Sequence, residues 1–400
     1  MDGNMRIVNV VDVFHPDAGY ENNVLSKYMV KFGHEYIILT TDLPEESGFF
    51  SNDDIESKDK HFIRDTGVDV IRLHAKGRVS GRAIWNYCEF AQTLEQLHAD
   101  LVFFCGNDTL IAIQYLLDPR NKKEKIIADS HMLAMATRNK LASFYRFFYR
   151  LFVTPIIEKH QIPVIRVQDD DYVEHYLGIP LRQCPWISFG SDTMLFHPDN
   201  EKREDFRRKY NIGNNSFVVL YTGKMDEAKG GKLLAEAFRK KFATDKDIVL
   251  VVVGSTSGEY GAEVDTIFDN SENRIIRFPT QKYRDLAYYY CAADLSVFAR
   301  QCSLSFYDAQ ACGLPVLSED NNINVDRCSH NNGWNFSAGS VESFRHQLEE
   351  IFNMPEEEFR VFSKNASRFI AEQYDYEDKA REYEAVFEER VRKGIKTNGK

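Results

Sequence analysis

The sequence predicts an α/β protein of two parallel-sheet domains, on three observations. Short β-rich runs alternate with helical periodicity along most of the chain, as in a parallel sheet covered by helices. At 400 residues the chain exceeds one ordinary core and suits two domains of comparable size. Ile187–Pro198, a stretch bearing Gly, Ser, Asp and Pro, separates two such alternating halves and precedes the charged Glu201–Lys209. The expected domains are 1–186 and 187–372, with 373–400 a helix packing back on the first domain and ending in a basic tail.

In the first half the strand candidates are Ile7–Val11, Tyr36–Thr40, Val68–Leu73, Leu101–Cys105, Lys125–Ala128 and Val164–Val167. In the second they are Phe217–Thr222, Ile248–Gly254, Ile275–Phe278, Leu295–Phe298 and Val316–Ser318. Amphipathic segments lie between them: Glu21–Phe32, Trp85–Leu97, Gly231–Phe242, Lys282–Ala293 and Ser303–Ala311. From Val341 the pattern is helical, broken near Met354-Pro355 and Tyr374, and Lys393–Lys400 reads as a frayed tail. Ligands of open α/β sheets bind beyond the carboxyl ends of the strands, so the loops there should carry the chemistry.

Composition excludes several classes. A content of 43% hydrophobic and 28% charged residues is that of a soluble globular protein. A net charge of −11 opposes general nucleic-acid binding, which needs a basic footprint. The seven cysteines form no C-x-x-C pair and are odd in number, so neither a disulfide framework nor a zinc motif is expected. No apolar run approaches the ~20 residues of a membrane span. Arg6 leads directly into a strand, so no signal peptide is expected and the chain reads as cytoplasmic.

Two loops stand out. In Tyr221–Gly230, Gly223 ends a strand and Lys224 and Lys229 flank the approach to a helix opening near Gly231. Two cations and a helix N-terminus at one point suit a diphosphate; the alternative is a solvated basic loop. In the second loop, after Ala299, Ser303 can cap a helix that Gly313 ends before Pro315. Backbone N–H groups of Cys302, Ser303 and Leu304 then form a second anion cradle. Asp308, on that helix, suits ribose hydroxyls or else a surface position, and its apolar neighbours favour burial.

These residues resemble a known family. Asp308-Ala-Gln-Ala-Cys-Gly-Leu-Pro-Val316 is similar to the Glu-Ala-Met-Ala-Cys-Gly-Leu-Pro-Val signature of the retaining GT-B glycosyltransferases of family 4, also called glycosyl transferases group 1. Gly223-Lys224 with Lys229-Gly230 resembles their Gly-Arg…Lys-Gly loop. Ile187–Pro198, Asn331–Phe336 and Gly33-His34-Glu35 resemble three further motifs in the family's order. The resemblance implies two Rossmann-like domains facing across a cleft, with the acceptor on the N-terminal domain and a nucleotide diphosphate-sugar on the C-terminal one. It also implies a retaining, hexosyltransferase-like reaction in polysaccharide or glycolipid biosynthesis, without metal or other cofactor. Lys224 and Lys229 would neutralise the leaving diphosphate, and backbone near Arg277 and Phe278 would meet the nucleotide base. Gly19 matches the first Gly-rich loop. His131 matches the family's Asp-x-His, whose histidine contacts the donor sugar; the alternative is a structural histidine.

One position departs from the family. Where it has a first Glu contacting sugar hydroxyls, this chain has Arg300. Either the donor is acidic, or Gln301 or Ser303 recognises the sugar, or Arg300 assists the diphosphate. Rival readings are a nucleotide-sugar epimerase on the same fold and a non-catalytic nucleotide-binding relative. Asp169–Asp171 reads as a helix cap rather than a metal cluster. Residues 138–152, with Phe144, Phe147, Phe148, Leu151 and Phe152 among basic residues, form either a core helix or a membrane-surface helix. The second choice implies peripheral contact with an anionic membrane, at the inner face of the plasma membrane.

Overall fold

The computed structural model describes residues 3–45, 50–132, 142–168, 171–213 and 215–398. It divides into two compact units, Met1–Phe189 with Glu377–Lys400, and Gly190–Tyr376.

The first unit holds β1 (Arg6–Val11), β2 (Glu35–Thr41), β3 (Asp69–Leu73), β4 (Ala75–Val79), β5 (Arg82–Trp85), β6 (Leu101–Phe104), β7 (Ile126–Ser130) and β8 (Val164–Arg166). Six of these form a parallel sheet in the order β3-β2-β1-β6-β7-β8, and β4 and β5 pair as an antiparallel hairpin. The second unit holds β9 (Ser216–Thr222), β10 (Asp247–Val253), β11 (Arg274–Phe278), β12 (Leu295–Phe298), β13 (Val316–Glu319) and β14 (Gly333–Phe336), in the order β11-β10-β9-β12-β13-β14. Both sheets therefore have the 3-2-1-4-5-6 order of the Rossmann fold, which reverses direction between its first and fourth strands.

Residues of β9, all buried, explain the pattern: a strand covered by helices on both faces has no polar side, so it reads as a continuous apolar run. The helix Tyr376–Asn398 lays Tyr383 and Phe387 on Phe103 of β6, with ring centroids 6.1 and 5.3 Å away. It continues through the stretch expected to fray, to Asn398. The sequence pattern missed the β4–β5 hairpin and β14. Trp85, placed in a helix by that pattern, ends β5, and the helix starts at Tyr87. No helix among the described residues is long and apolar enough to cross a membrane.

Candidate active site

In the second unit the strand order reverses between β9 and β12, so the loops after these two strands open side by side. Gly223, at φ 144°, turns the chain out of β9 in a conformation open to glycine. Gly230 sits at φ 75°, and a Cβ there would lie 3.0 Å from the Cβ of Arg300 and 3.3 Å from that of Ala299. The two loops thus touch backbone against side-chain stem. Lys229 ties them together, its Nζ donating to the carbonyl of Cys302 at 2.8 Å. Burial, together with the nearby charges of Lys224 and Arg327, holds the Lys229 ammonium below the ordinary lysine range.

The loop after β12 is built tightly. Gln301 has φ 60°, a costly conformation for a residue with a Cβ. Its N–H donates to Glu319 Oε1 at 2.5 Å and its carbonyl accepts from Asn324 Nδ2 at 3.2 Å, which together hold it there. Arg327, buried against Phe306 and Tyr307, donates to the carbonyl of Ser303 at 3.0 Å. Ser303 does not cap the helix as expected: Leu304 is the cap position, Ser305–Ala311 is the helix, and Ser303 Oγ accepts the N–H of Ser305 at 3.3 Å. Among the described residues, the backbone N–H groups of Cys302, Ser303 and Leu304 serve no hydrogen bond in this turn.

Arg300 points back across the gap, donating from Nη1 to the carbonyl of Glu227 in the lysine-bearing loop at 3.0 Å. Asp308 is buried; its Oδ1 accepts from Ser191 Oγ at 2.8 Å and from Tyr283 OH at 3.3 Å, and burial pushes its carboxyl up to about 7. The side chains of Arg277 and Phe278 belong elsewhere. Arg277 pairs with Asp265 at 2.6 Å and packs over Phe268, while Phe278 packs among Phe206, Tyr210 and Tyr289. The carbonyl of Phe278 is also taken, by the N–H of Gly254 at 3.0 Å. The reason is position: β11 is an edge strand, and its flanking helix and aromatic cluster claim the side chains.

The first unit's crevice, between β1 and β6, has the opposite character. Gly19 lies two residues before the helix Glu21–Lys31, and His131 lies just after β7. His131 Nε2 stands 3.1 Å from Asp129 Oδ2 and 3.3 Å from Glu21 Oε2, with Cys105 Sγ at 3.6 Å. Burial opposes a charge on this imidazole, but the Asp129 carboxylate beside it prevails and raises its pKa well above the usual range. Burial lifts the Glu21 carboxyl to about 7, and Tyr383 of the C-terminal helix donates to its Oε1. Asp129 Oδ1 accepts the N–H of Gly106 at 2.5 Å. Sequence reasoning found His131 but missed Glu21, Asp129 and Cys105. The spacing Asp129-x-His131 and the adjacency of Glu21 to Gly19 were the available signals. Nearby, Asp12 accepts Trp85 Nε1 at 2.8 Å and Ala83 N at 3.0 Å, and Arg82 pairs with Asp108, so the hairpin covers this crevice's edge.

The aromatic segment lies partly outside the described residues, which resume at Ala142. Its described part is the helix Ala142–Phe148 followed by a π-helical turn, Tyr149–Val153. Tyr149 and Val153 are buried, whereas Phe144 is 73%, Phe147 65%, Leu151 53% and Phe152 49% exposed. Phe148 packs against the core. Of the acidic run, Asp169 and Asp170 lie outside the described residues, and Asp171 makes no capping hydrogen bond from its side chain.

Two units that each carry a Rossmann strand order place the protein in the GT-B class of α/β architecture. It superposes on a glycosyltransferase from Rickettsia africae with a TM-score of 0.73 at 15% identity, covering 97% of this chain and 99% of that one. Against Anabaena Alr3699/HepE in complex with UDP and glucose the TM-score is 0.75 at 13% identity, covering 96% and 100%. Residues 202–369 match the model of the family Glycosyl transferases group 1. D-inositol 3-phosphate glycosyltransferase 1 of Catenulispora acidiphila is 31% identical over 163 residues, 38% of this chain and 38% of the relative. A Corynebacterium glutamicum D-inositol 3-phosphate glycosyltransferase is 28% identical over 182 residues, 42% of this chain and 43% of the relative. The matches thus span less than half the length of these curated relatives.

Proposed function

We propose that this protein is a retaining glycosyltransferase that moves a hexose-like sugar from a nucleoside diphosphate to a glycan or lipid-linked acceptor, in polysaccharide or glycolipid synthesis. One observation carries the reading: Lys229, with Lys224 and Arg327 as neighbouring cations, bridges the two loops at the strand-order reversal of the unit that matches the family. Cations preorganised where a diphosphate leaves stabilise the charge that develops in the transition state. In the reaction the bond from the anomeric carbon to the phosphate oxygen breaks and a bond from that carbon to the acceptor oxygen forms on the same face. The acceptor's proton passes to the leaving phosphate oxygen. Gly19, Gly223 and the backbone of Cys302, Ser303 and Leu304 approach the donor, Asp308 meets the ribose, and His131 meets the donor sugar. Backbone beyond Arg277 and Phe278, at Pro279 and Thr280, meets the base. Arg300 acts on the diphosphate through its loop, which favours that role over recognition of an acidic sugar. The lysines stand where other transferases use a divalent metal. Transfer from the donor that gives the largest thermal stabilisation should therefore persist in excess chelator. Loss of transfer in chelator, with recovery in magnesium or manganese, would overturn metal independence; stabilisation by no nucleoside diphosphate would overturn the reading itself.

The exposed Phe144, Phe147, Leu151 and Phe152, with Arg150 exposed beside them, support peripheral contact with an anionic membrane at its cytoplasmic face.

A further inference from the structure

We infer that the N-terminal unit carries a binding site for a zinc-class divalent cation, formed by Cys105, Asp129 and His131. Sulfur of Cys105, a carboxylate oxygen of Asp129 and a ring nitrogen of His131 lie within 4.8 Å of one another. Glu21 Oε2 lies beside the set, 3.3 Å from the same His131 nitrogen.

The distances suit a shared cation. Three acceptors converge on one atom, Nε2, at 3.1, 3.3 and 3.6 Å. A single N–H can point at only one of them. A tetrahedral zinc with bonds of about 2.0–2.3 Å separates its ligands by roughly 3.3–3.6 Å, the longer edges being those to sulfur. The spacing here follows that order, with sulfur the farthest from the nitrogen. One thiolate, one imidazole and one carboxylate form a donor set for zinc and its chemical neighbours rather than for magnesium.

The ligands are held at two adjacent strand ends, so the set exists before any ion arrives. Cys105 follows β6, Asp129 and His131 come from the end of β7, and Glu21 opens the helix that follows β1. Second contacts fix the two buried carboxylates: Gly106 N–H on Asp129 and Tyr383 OH on Glu21. The His131 side chain, 37% exposed, leaves an entry route from solvent. Binding releases the Cys105 thiol proton, and any proton on Nε2, to water; nothing is oxidised or reduced. An ion here takes the Nε2 that the proposed function assigns to the donor sugar, so occupancy inhibits transfer. That consequence alone rests on the transferase reading.

The full chain, freed of metal by chelator and titrated with Co2+, should bind one equivalent. It should show the sulfur-to-cobalt charge-transfer band and intense visible bands of tetrahedral cobalt, both displaced by Zn2+. Cys105→Ser should remove the charge-transfer band and weaken binding at least tenfold, while Cys88→Ser, changing an exposed thiol elsewhere, should leave both intact. His131→Gln, altered on the open side of the cluster, should also weaken binding at least tenfold, and it carries the test if Cys105→Ser does not fold. Absence of the bands in wild type, or their survival in the Cys105 or His131 variant, would overturn the site. Zn2+ that binds without slowing transfer would overturn only the inhibition, and a protein without transferase activity would leave the spectra as evidence for the site.

Discussion

The two crevices share one topology and differ in charge. Both open where a 3-2-1-4-5-6 sheet reverses. In the C-terminal unit the loops there carry Lys224, Lys229 and Arg300, with Arg327 of the helix after β13 donating to one of them, whereas in the N-terminal unit Glu21, Asp129, Asp12 and Asp108 surround one histidine and one arginine. The fold fixes where a ligand sits, and the loop residues fix which charge it meets. A cationic crevice suits an anion that must leave. An acidic one suits groups that give up or share protons.

The largest test of that contrast compares one residue from each crevice. Lys229→Ala should reduce nucleoside-diphosphate affinity and turnover together, by about 100-fold, since one lost contact to a developing anion costs ~3 kcal/mol. His131→Ala should lower turnover while leaving nucleoside-diphosphate affinity unchanged in calorimetry. If both variants weaken nucleotide binding equally, the division of labour is wrong.

The outer surface of the N-terminal unit gives the next largest effect. Phe144→Glu with Phe147→Glu should abolish co-flotation with anionic liposomes. Wild type that does not float, or a variant that floats equally, removes the membrane contact. Phe148 makes a poor probe because it packs on the core.

Arg300→Glu places a carboxylate beside the Glu227 carbonyl and the lysine loop. It should weaken binding of the nucleoside diphosphate alone by about tenfold, roughly 1.4 kcal/mol. A changed sugar preference with unchanged nucleotide affinity would return Arg300 to sugar recognition.

The smallest effect concerns Asp308. Burial raises its carboxyl to about 7, above the ordinary ~4 of an unfolded aspartate, so folding favours the protonated form. This contribution is fully present below about pH 4 and is lost as pH rises through 7. Asp308→Asn should flatten that decline, seen as a few degrees of Tm in unfolding scans between these limits. An Asn variant whose pH profile matches wild type would show that Asp308 is not the group responsible.

Eleven of the main-sheet strands were legible because a strand buried on both faces has an apolar interior run, as β9 and β10 do. The β4–β5 hairpin was not: Ala-Lys-Gly-Arg-Val alternates weakly and its strands are half-exposed. Nor was β14, whose Gly333-Trp-Asn-Phe336 is too short and polar to stand out. In the C-terminal site the lysine loop and Asp308 sit within motifs that run continuously in sequence. The N-terminal cluster does not, since Glu21, Cys105 and His131 come from three separate segments.

By itself the sequence determined the α/β class, the two alternating halves and the glycine-bearing loops at the strand ends, because periodicity and strand-end glycines are local properties. The tertiary structure alone decided the rest. It turned Arg300 onto the lysine loop, committed Arg277 to Asp265, exposed Phe144 and Phe147 while burying Tyr149, and drew Glu21, Asp129 and Cys105 around His131. Side-chain direction and pairing depend on residues brought together by sheet order, across 73 positions for Arg300 with Glu227 and 26 for Cys105 with His131, and local pattern carries no record of such distances.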